Sequence, residues 1–227
     1  PDRLVASELG KIPEGWEVVA VGDAVDIVKG VSYRSEDLAD SDVALVTLKS
    51  FTRGGGYRPN GLKPYTGLYK EEQEVRPGEL IVAQTDVTQA AEVIGKPALV
   101  LPDSRFRVLV ASLDVLIIRP IIPELPKEFF YLLFLTPEFQ EHIYGHTNGT
   151  TVLHLGRHGV PSFRFVRPSE QVGRMLSDLF VPLFGKVTSN AIESRTLASL
   201  RDALLPRLIR GEMRVKDAER FVKERRL

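Results

Sequence analysis

Short apolar runs broken by turn residues fill the first two thirds of the chain, and one long helical period fills the rest. Ala44–Leu48, Glu79–Gln84, Ala98–Leu101, Arg107–Val110 and Val115–Arg119 are aliphatic or β-branched, lie between turn residues, and predict strands. Two short helices interrupt them. One is expected from about Pro126 to Leu135. The next starts at Thr136, where Thr-Pro-Glu provides an N-cap, a proline at the first helical position and an acid at the positive end. Gly145 is the expected C-cap.

From Pro168 onward the pattern is helical. Leu176, Leu179, Leu183, Leu197, Leu200 and Leu204 fall on one 3-4-3-4 seam, with polar Lys186, Asn190 and Glu193 in its middle. Phe180, Phe184, Val187 and Ala191 form a second apolar face, and two faces imply two packing partners. Roughly 35 helical residues, about 50 Å at 1.5 Å per residue, overshoot a small domain. This favours a projecting helix over one folded back on its own sheet. Pro182 is expected to start a new helix or kink this one, and Pro206 to end or bend it. The predicted class is α+β: a mixed β-sheet domain over residues 1–168, then a long C-terminal coiled-coil helical region over 169–213. A charged tail, 214–227, is expected to fray.

Composition narrows the functional classes. The 227 residues are 43% hydrophobic and 26% charged, a globular balance with zero formal net charge. That zero hides a division. Residues 1–167 hold 18 Lys and Arg against 22 Asp and Glu, whereas 168–227 hold 12 against 8. A uniformly basic nucleic-acid coat is excluded; a local basic face is not. Without cysteine there is no disulfide, thiolate zinc site or cysteine nucleophile. No apolar run approaches the roughly 20 residues that span a bilayer, and no leader pattern opens the chain, so a cytoplasmic location is expected.

Three loops carry the candidate chemistry. Val43 to Lys70 contains no acid but holds Lys49, Arg53, Arg58 and Lys63 among tyrosines and a triple glycine, Gly54 to Gly56. His142 to Ser169 is also acid-free; within it lie Asn148, Thr150, Thr151, His154, Arg157 and His158. Between them, Gln84-Thr-Asp-Val-Thr-Gln89 is a polar run directly after a strand. Basic groups hold phosphates, while Gln, Asn, Thr and Arg suit base edges, so the three loops are candidates for a DNA-reading surface. Gln84, Thr85, Gln89, Asn148, Thr150 and Thr151 suit bases best; Tyr33 and Arg34 are expected at the flank. Solvated loops without a ligand are the plainer alternative.

Other chemistries fare worse. The histidines at 142, 146, 154 and 158 have a metal-like spacing, but glycines interrupt both pairs, and no metal or other cofactor is expected. Neither GxxxxGK[ST] nor GxGxxG occurs, no Glu-x-Lys follows Pro102-Asp103, and there is no nucleophile elbow. A non-catalytic role is expected.

The ordered motifs resemble those of a known family. Lys11-Ile-Pro-Glu-Gly-Trp-Glu-Val18 with Val21-Gly-Asp23 is similar to the opening of a target-recognition domain in type I restriction–modification specificity subunits. Pro77-Gly-Glu-Leu-Ile-Val-Ala83, Phe129–Leu135 with Pro137-Glu-Phe-Gln140, and Gly149-Thr-Thr-Val-Leu-His-Leu155 follow in that family's order. Pro168-Ser-Glu-Gln171 and the run from Thr196 to Glu212 then resemble its conserved helix. The resemblance covers nearly the whole chain. It implies a subunit that reads half of a split site on double-stranded DNA and guides a methyltransferase subunit and a restriction motor-nuclease subunit to it. A full subunit of that family carries two recognition domains and two helices. One of each here implies half of a longer subunit or a half-subunit that pairs with itself. The recognition domain of a fused restriction–methylation enzyme and a protein adaptor without a DNA role stay open as alternatives.

Overall fold

The structure, a computed structural model, describes residues 3–87, 90–217 and 220. It divides into two compact units, residues 1–181 and 182–227. In chain order the strands of the first half are β1 (Leu4–Ser7), β2 (Gly10–Pro13), β3 (Glu17–Ala20), β4 (Val25–Lys29), β5 (Val43–Val46), β6 (Lys63–Pro64) and β7 (Leu80–Ala83). There follow β8 (Thr85–Asp86), β9 (Pro97–Leu99), β10 (Val108–Ala111) and β11 (Val115–Pro120), then helices α1 (Lys127–Phe134) and α2 (Pro137–Gly145). Strands β12 (Thr147–Asn148), β13 (Leu153–Leu155) and β14 (Arg164–Arg167) precede the long helix α3 (Glu170–Ile209). All five predicted strands form.

The centre of the first unit is the sheet β4-β11-β7-β9. Its strands explain their own apolar runs. Alternate residues of a strand face opposite sides. Leu80, Val82, Leu116 and Ile118 join one cluster with Phe130, Phe134, Phe139 and Ile143 of α1 and α2. Ile81, Ala83, Val115 and Ile117 join the other, with Ala44 and Val46 of β5 and Leu109 and Ala111 of β10. A sheet buried on both faces needs apolar residues at every position, as in Leu-Ile-Val-Ala and Val-Leu-Ile-Ile. The second sheet, β10-β5-β6, is mixed: β5 runs parallel to β10 and antiparallel to β6. Helices, central sheet and second sheet thus stack as three layers. The predicted α+β class, a mixed-sheet domain with a long C-terminal helix, is the one observed.

Capping follows the sequence with one correction. The Thr136 hydroxyl accepts from the Phe139 amide and Pro137 sits at the first helical position. Gly145, expected as the C-cap, is instead the last residue of α2, and His146 caps it. Pro182 and Pro206 both lie inside the last helix: neither starts nor ends it, and α3 runs for 40 residues through both. On α3 itself Leu200 and Leu204 of the seam are buried at 8%, and Leu176 is half-buried. Leu179, Leu183 and Leu197 keep 51–55% of their surface exposed. Of the charged tail, Val215–Asp217 is helical, and residues 218, 219 and 221–227 lie outside the described residues. Among the described residues no helix is long and apolar enough to cross a membrane.

Candidate functional site

Two depressions in the first unit gather seven of the fifteen predicted residues. The larger is a cleft of about 950 Å³ that takes Tyr33, Lys49, Arg53, Arg58 and Lys63 into one lining. Local turns set Lys49 and Arg53, and Lys63 lies on β6. Thr47 opens a 3-10 turn, Leu48–Ser50, by accepting from the Lys49 amide, which leaves Lys49 exposed on a buried base. Phe51 pairs with Tyr57, so residues 52–56 close a tight hairpin with Arg53 near its tip. Gly54, Gly55 and Gly56 all have φ between +81° and +106°, a region in which side chains are strained, so glycine is required there. Lys63 lies 5.7 Å from the centre of the Tyr33 ring, a cation–π contact that orients both.

The second depression, about 450 Å³, is lined by Gln84 and Arg157 together with Asp26, Lys29 and apolar residues of β4, β11 and β13. A small sheet, β12-β13-β8, brings the middle loop to the late loop: Asn148 stands opposite His154, and His154 opposite Thr85. Asn148, Thr150, Thr151, His154, Arg157 and His158 are all exposed. The hairpin tip needs Gly149, since a Cβ there would stand 2.1 Å from the Val152 carbonyl oxygen. The segment 84–87 divides the two depressions, with Gln84 in one wall and Asp86 and Val87 in the other.

Some predicted residues are placed differently from the rest. Thr85 is 3% exposed and donates its hydroxyl to Asp114 Oδ1 at 2.9 Å, so it holds the loop rather than facing outward. Arg34 lines neither depression and bonds Glu36 at 3.3 Å. Gln89 lies outside the described residues. Arg157 Nε donates to His158 Nε2 at 2.9 Å. Two of the four histidines are engaged within the fold. His142 Nε2 donates to the Gly159 carbonyl at 2.9 Å and His146 Nδ1 to the His142 carbonyl at 2.8 Å. Burial holds the His142 imidazole below its ordinary value of 6.5 and so favours the neutral ring. Arg164 and Arg167 are also taken up structurally, by Glu8 and by Glu17 with Glu124.

Sequence reasoning missed the acids. Asp86, Glu92 and Asp114 line the same cleft as the four cations. Asp86 Oδ2 accepts from the Val93 and Ile94 amides at 2.7 and 3.2 Å and is buried. Glu92 Oε2 lies 3.1 Å from Arg53 Nε. Asp86 lies within the polar run 84–89 but was not singled out there; Glu92 and Asp114 carry no local signal, because they lie outside all three loops and converge only through the sheet order. Among the described residues no group of three or more His, Asp or Glu is arranged to hold a metal ion.

Comparison with known proteins bears out the resemblance read from the sequence. No family model matches the chain. It is 23% identical over 215 residues to the type I restriction enzyme MjaIX specificity subunit of Methanocaldococcus jannaschii, covering 92% of this chain and 47% of that protein. It is also 23% identical over 209 residues to the HindI specificity subunit of Haemophilus influenzae, covering 89% and 42%. The chain therefore spans about half the length of the curated relatives it matches. Among solved structures, the type I restriction–modification S subunit from M. genitalium superimposes with a TM-score of 0.56 at 14% identity, over 85% of this chain and 45% of that one. The HsdS subunit from Thermoanaerobacter tengcongensis does so with a TM-score of 0.51 at 16% identity, over 92% and 48%. These structures share the fold of this chain.

Proposed function

We propose that this chain is the DNA sequence-specificity element, or half of one, of a type I restriction–modification system. It reads one half of a bipartite site on double-stranded DNA and performs no chemistry itself. The observation that carries this reading is the gathering of residues from three sequence-distant loops around two adjoining depressions, in a fold shared with specificity subunits. In this reading Lys49, Arg53, Arg58 and Lys63 take phosphates or guanine edges, and Gln84, Asn148, Thr150 and Thr151 take base edges. His154, Arg157 and His158 serve either. Tyr33 positions Lys63, and Thr85 positions Asp114. The recognition domain covers residues 1–168. The helical region 169–213 acts as spacer and as the surface for the methyltransferase subunit, through which the restriction subunit is reached. Its seam of Leu176, Leu179, Leu183, Leu197, Leu200 and Leu204 pairs with a second such helix, from the same polypeptide or from a second copy. The system works in the cytoplasm.

The experiment is a base-resolution methylation map of a plasmid in a host that expresses this chain with the adenine methyltransferase of the same operon. A split motif methylated only when the chain is present is the expected result. A palindromic motif marks a self-paired half-subunit, and an asymmetric motif marks a second recognition domain elsewhere. An active, copurifying methyltransferase that leaves the plasmid unmethylated defeats the reading in favour of the adaptor.

A further inference from the structure

Glu92 is a carboxylate placed among four cations. Of the three acids in the cleft, Asp86 is buried and committed to the Val93 and Ile94 amides, and Asp114 takes the Thr85 hydroxyl. Glu92 meets Arg53 instead, with side chains 36% and 77% exposed and Nε and Oε2 at 3.1 Å. Its backbone carbonyl independently accepts from the Gly54 amide at 3.1 Å, so the backbone of residue 92 stays beside the hairpin tip even if Arg53 swings away. An ion pair this exposed contributes little to folding. Toward DNA it has a definite consequence. A carboxylate at a phosphate-binding surface opposes every duplex equally, unless the base opposite offers it a donor.

Resting on the DNA-reading function proposed above, we propose that Glu92 is a specificity-determining residue that accepts from an exocyclic amine, N4 of cytosine or N6 of adenine, in the major groove. Arg53 holds the carboxylate in the free protein and transfers to a phosphate on binding. A sequence without the amine at that position leaves the charge unpaired against the duplex, and this penalty is the discrimination.

The test uses the chain in complex with its methyltransferase and a motif selected from a randomised duplex library. Each cytosine of the motif is then replaced by 2-pyrimidinone and each adenine by purine, which removes only the amine. Wild-type protein should lose about tenfold in affinity at one position through this change. Glu92→Ala should lose that one penalty and retain all others, and the responsive base tells cytosine from adenine. Arg53→Ala should weaken every duplex evenly, as a phosphate contact does. A wild type indifferent to amine removal at every position overturns the inference, and so does a Glu92→Ala protein that keeps the full penalty. Failure of the wild type to select any motif overturns the DNA-reading function along with it.

Discussion

At the scale of single residues, the cleft depends on positions where no side chain fits. A Cβ on Gly61 would stand 2.1 Å from the Lys49 carbonyl carbon and 2.3 Å from the Ser50 amide nitrogen. The Thr47 hydroxyl also donates to the Gly61 carbonyl at 3.2 Å, so the turn at 59–61 is seated directly on the turn that carries Lys49. The obstacle to a methyl group is backbone, which cannot rotate aside. Gly61→Ala is therefore expected to destabilise the domain by about 1–3 kcal/mol and to weaken DNA binding through displacement of Lys49. Denaturant unfolding measures the first effect. A loss under about 0.5 kcal/mol would mean that the two turns do not touch in solution. The same scale shows what a sequence reveals of a site. Lys49, Arg53, Arg58 and Lys63 were legible because they cluster in one acid-free window. Glu92 and Asp114 were not, because they join the cleft from outside the candidate loops, and Asp86 was overlooked within one of them. The fate of Thr85 was also hidden: its hydroxyl partner lies 29 positions away.

At the scale of elements, legibility followed length and burial. Strands β5, β7, β10 and β11, buried on one or both faces, carry runs of aliphatic residues that identify them. Strands β3 and β14 pair across more than 140 positions, and β8 and β12 have two residues each, too short for any periodicity. In α3 neither proline breaks the helix. Pro182 removes one helical hydrogen bond and costs about 3 kcal/mol in a helix interior. With nucleation already met by the rest of a 40-residue helix, that loss leaves the element intact. What the helix presents matters more for function. Leu179 and Leu183 lie one turn apart, and both are 55% exposed. Covering that surface against a second helix would contribute about 1 kcal/mol per leucine. Leu179→Asp with Leu183→Asp would remove this gain and force carboxylates into an apolar seam, at a further cost of several kcal/mol. The double variant is expected to fall at least about a hundredfold in helix-mediated association by sedimentation, while the melting of the sheet domain stays unchanged. Unaltered association would take these leucines out of the interface.

At the scale of the whole molecule, charge balance sets how DNA can be held. The net charge is zero, with the surplus of acids in residues 1–167 and the surplus of bases beyond them. On the proposed function, residues 1–167 approach a polyanion while slightly acidic, and attraction must come from the local cleft rather than from the overall field. Among its lining cations are Lys49, Arg53, Arg58 and Lys63, with Arg53 engaged by Glu92. Each phosphate neutralised releases condensed counterions, so the logarithm of the binding constant falls against the logarithm of salt concentration with a slope of about −0.9 per contact. Three or four contacts from one cleft predict a slope of about −3 to −4 for the chain alone, and correspondingly weak non-specific binding. The complex with the methyltransferase should show a steeper slope if its partner closes a larger basic surface around the duplex. Titrations between about 50 and 200 mM salt, with and without that subunit, separate the two contributions. A slope beyond about −6 for the chain alone would place most phosphate contacts outside the cleft and point to the basic residues after 167. Equal slopes with and without the methyltransferase would mean that this chain carries the whole electrostatic grip, despite its balanced charge.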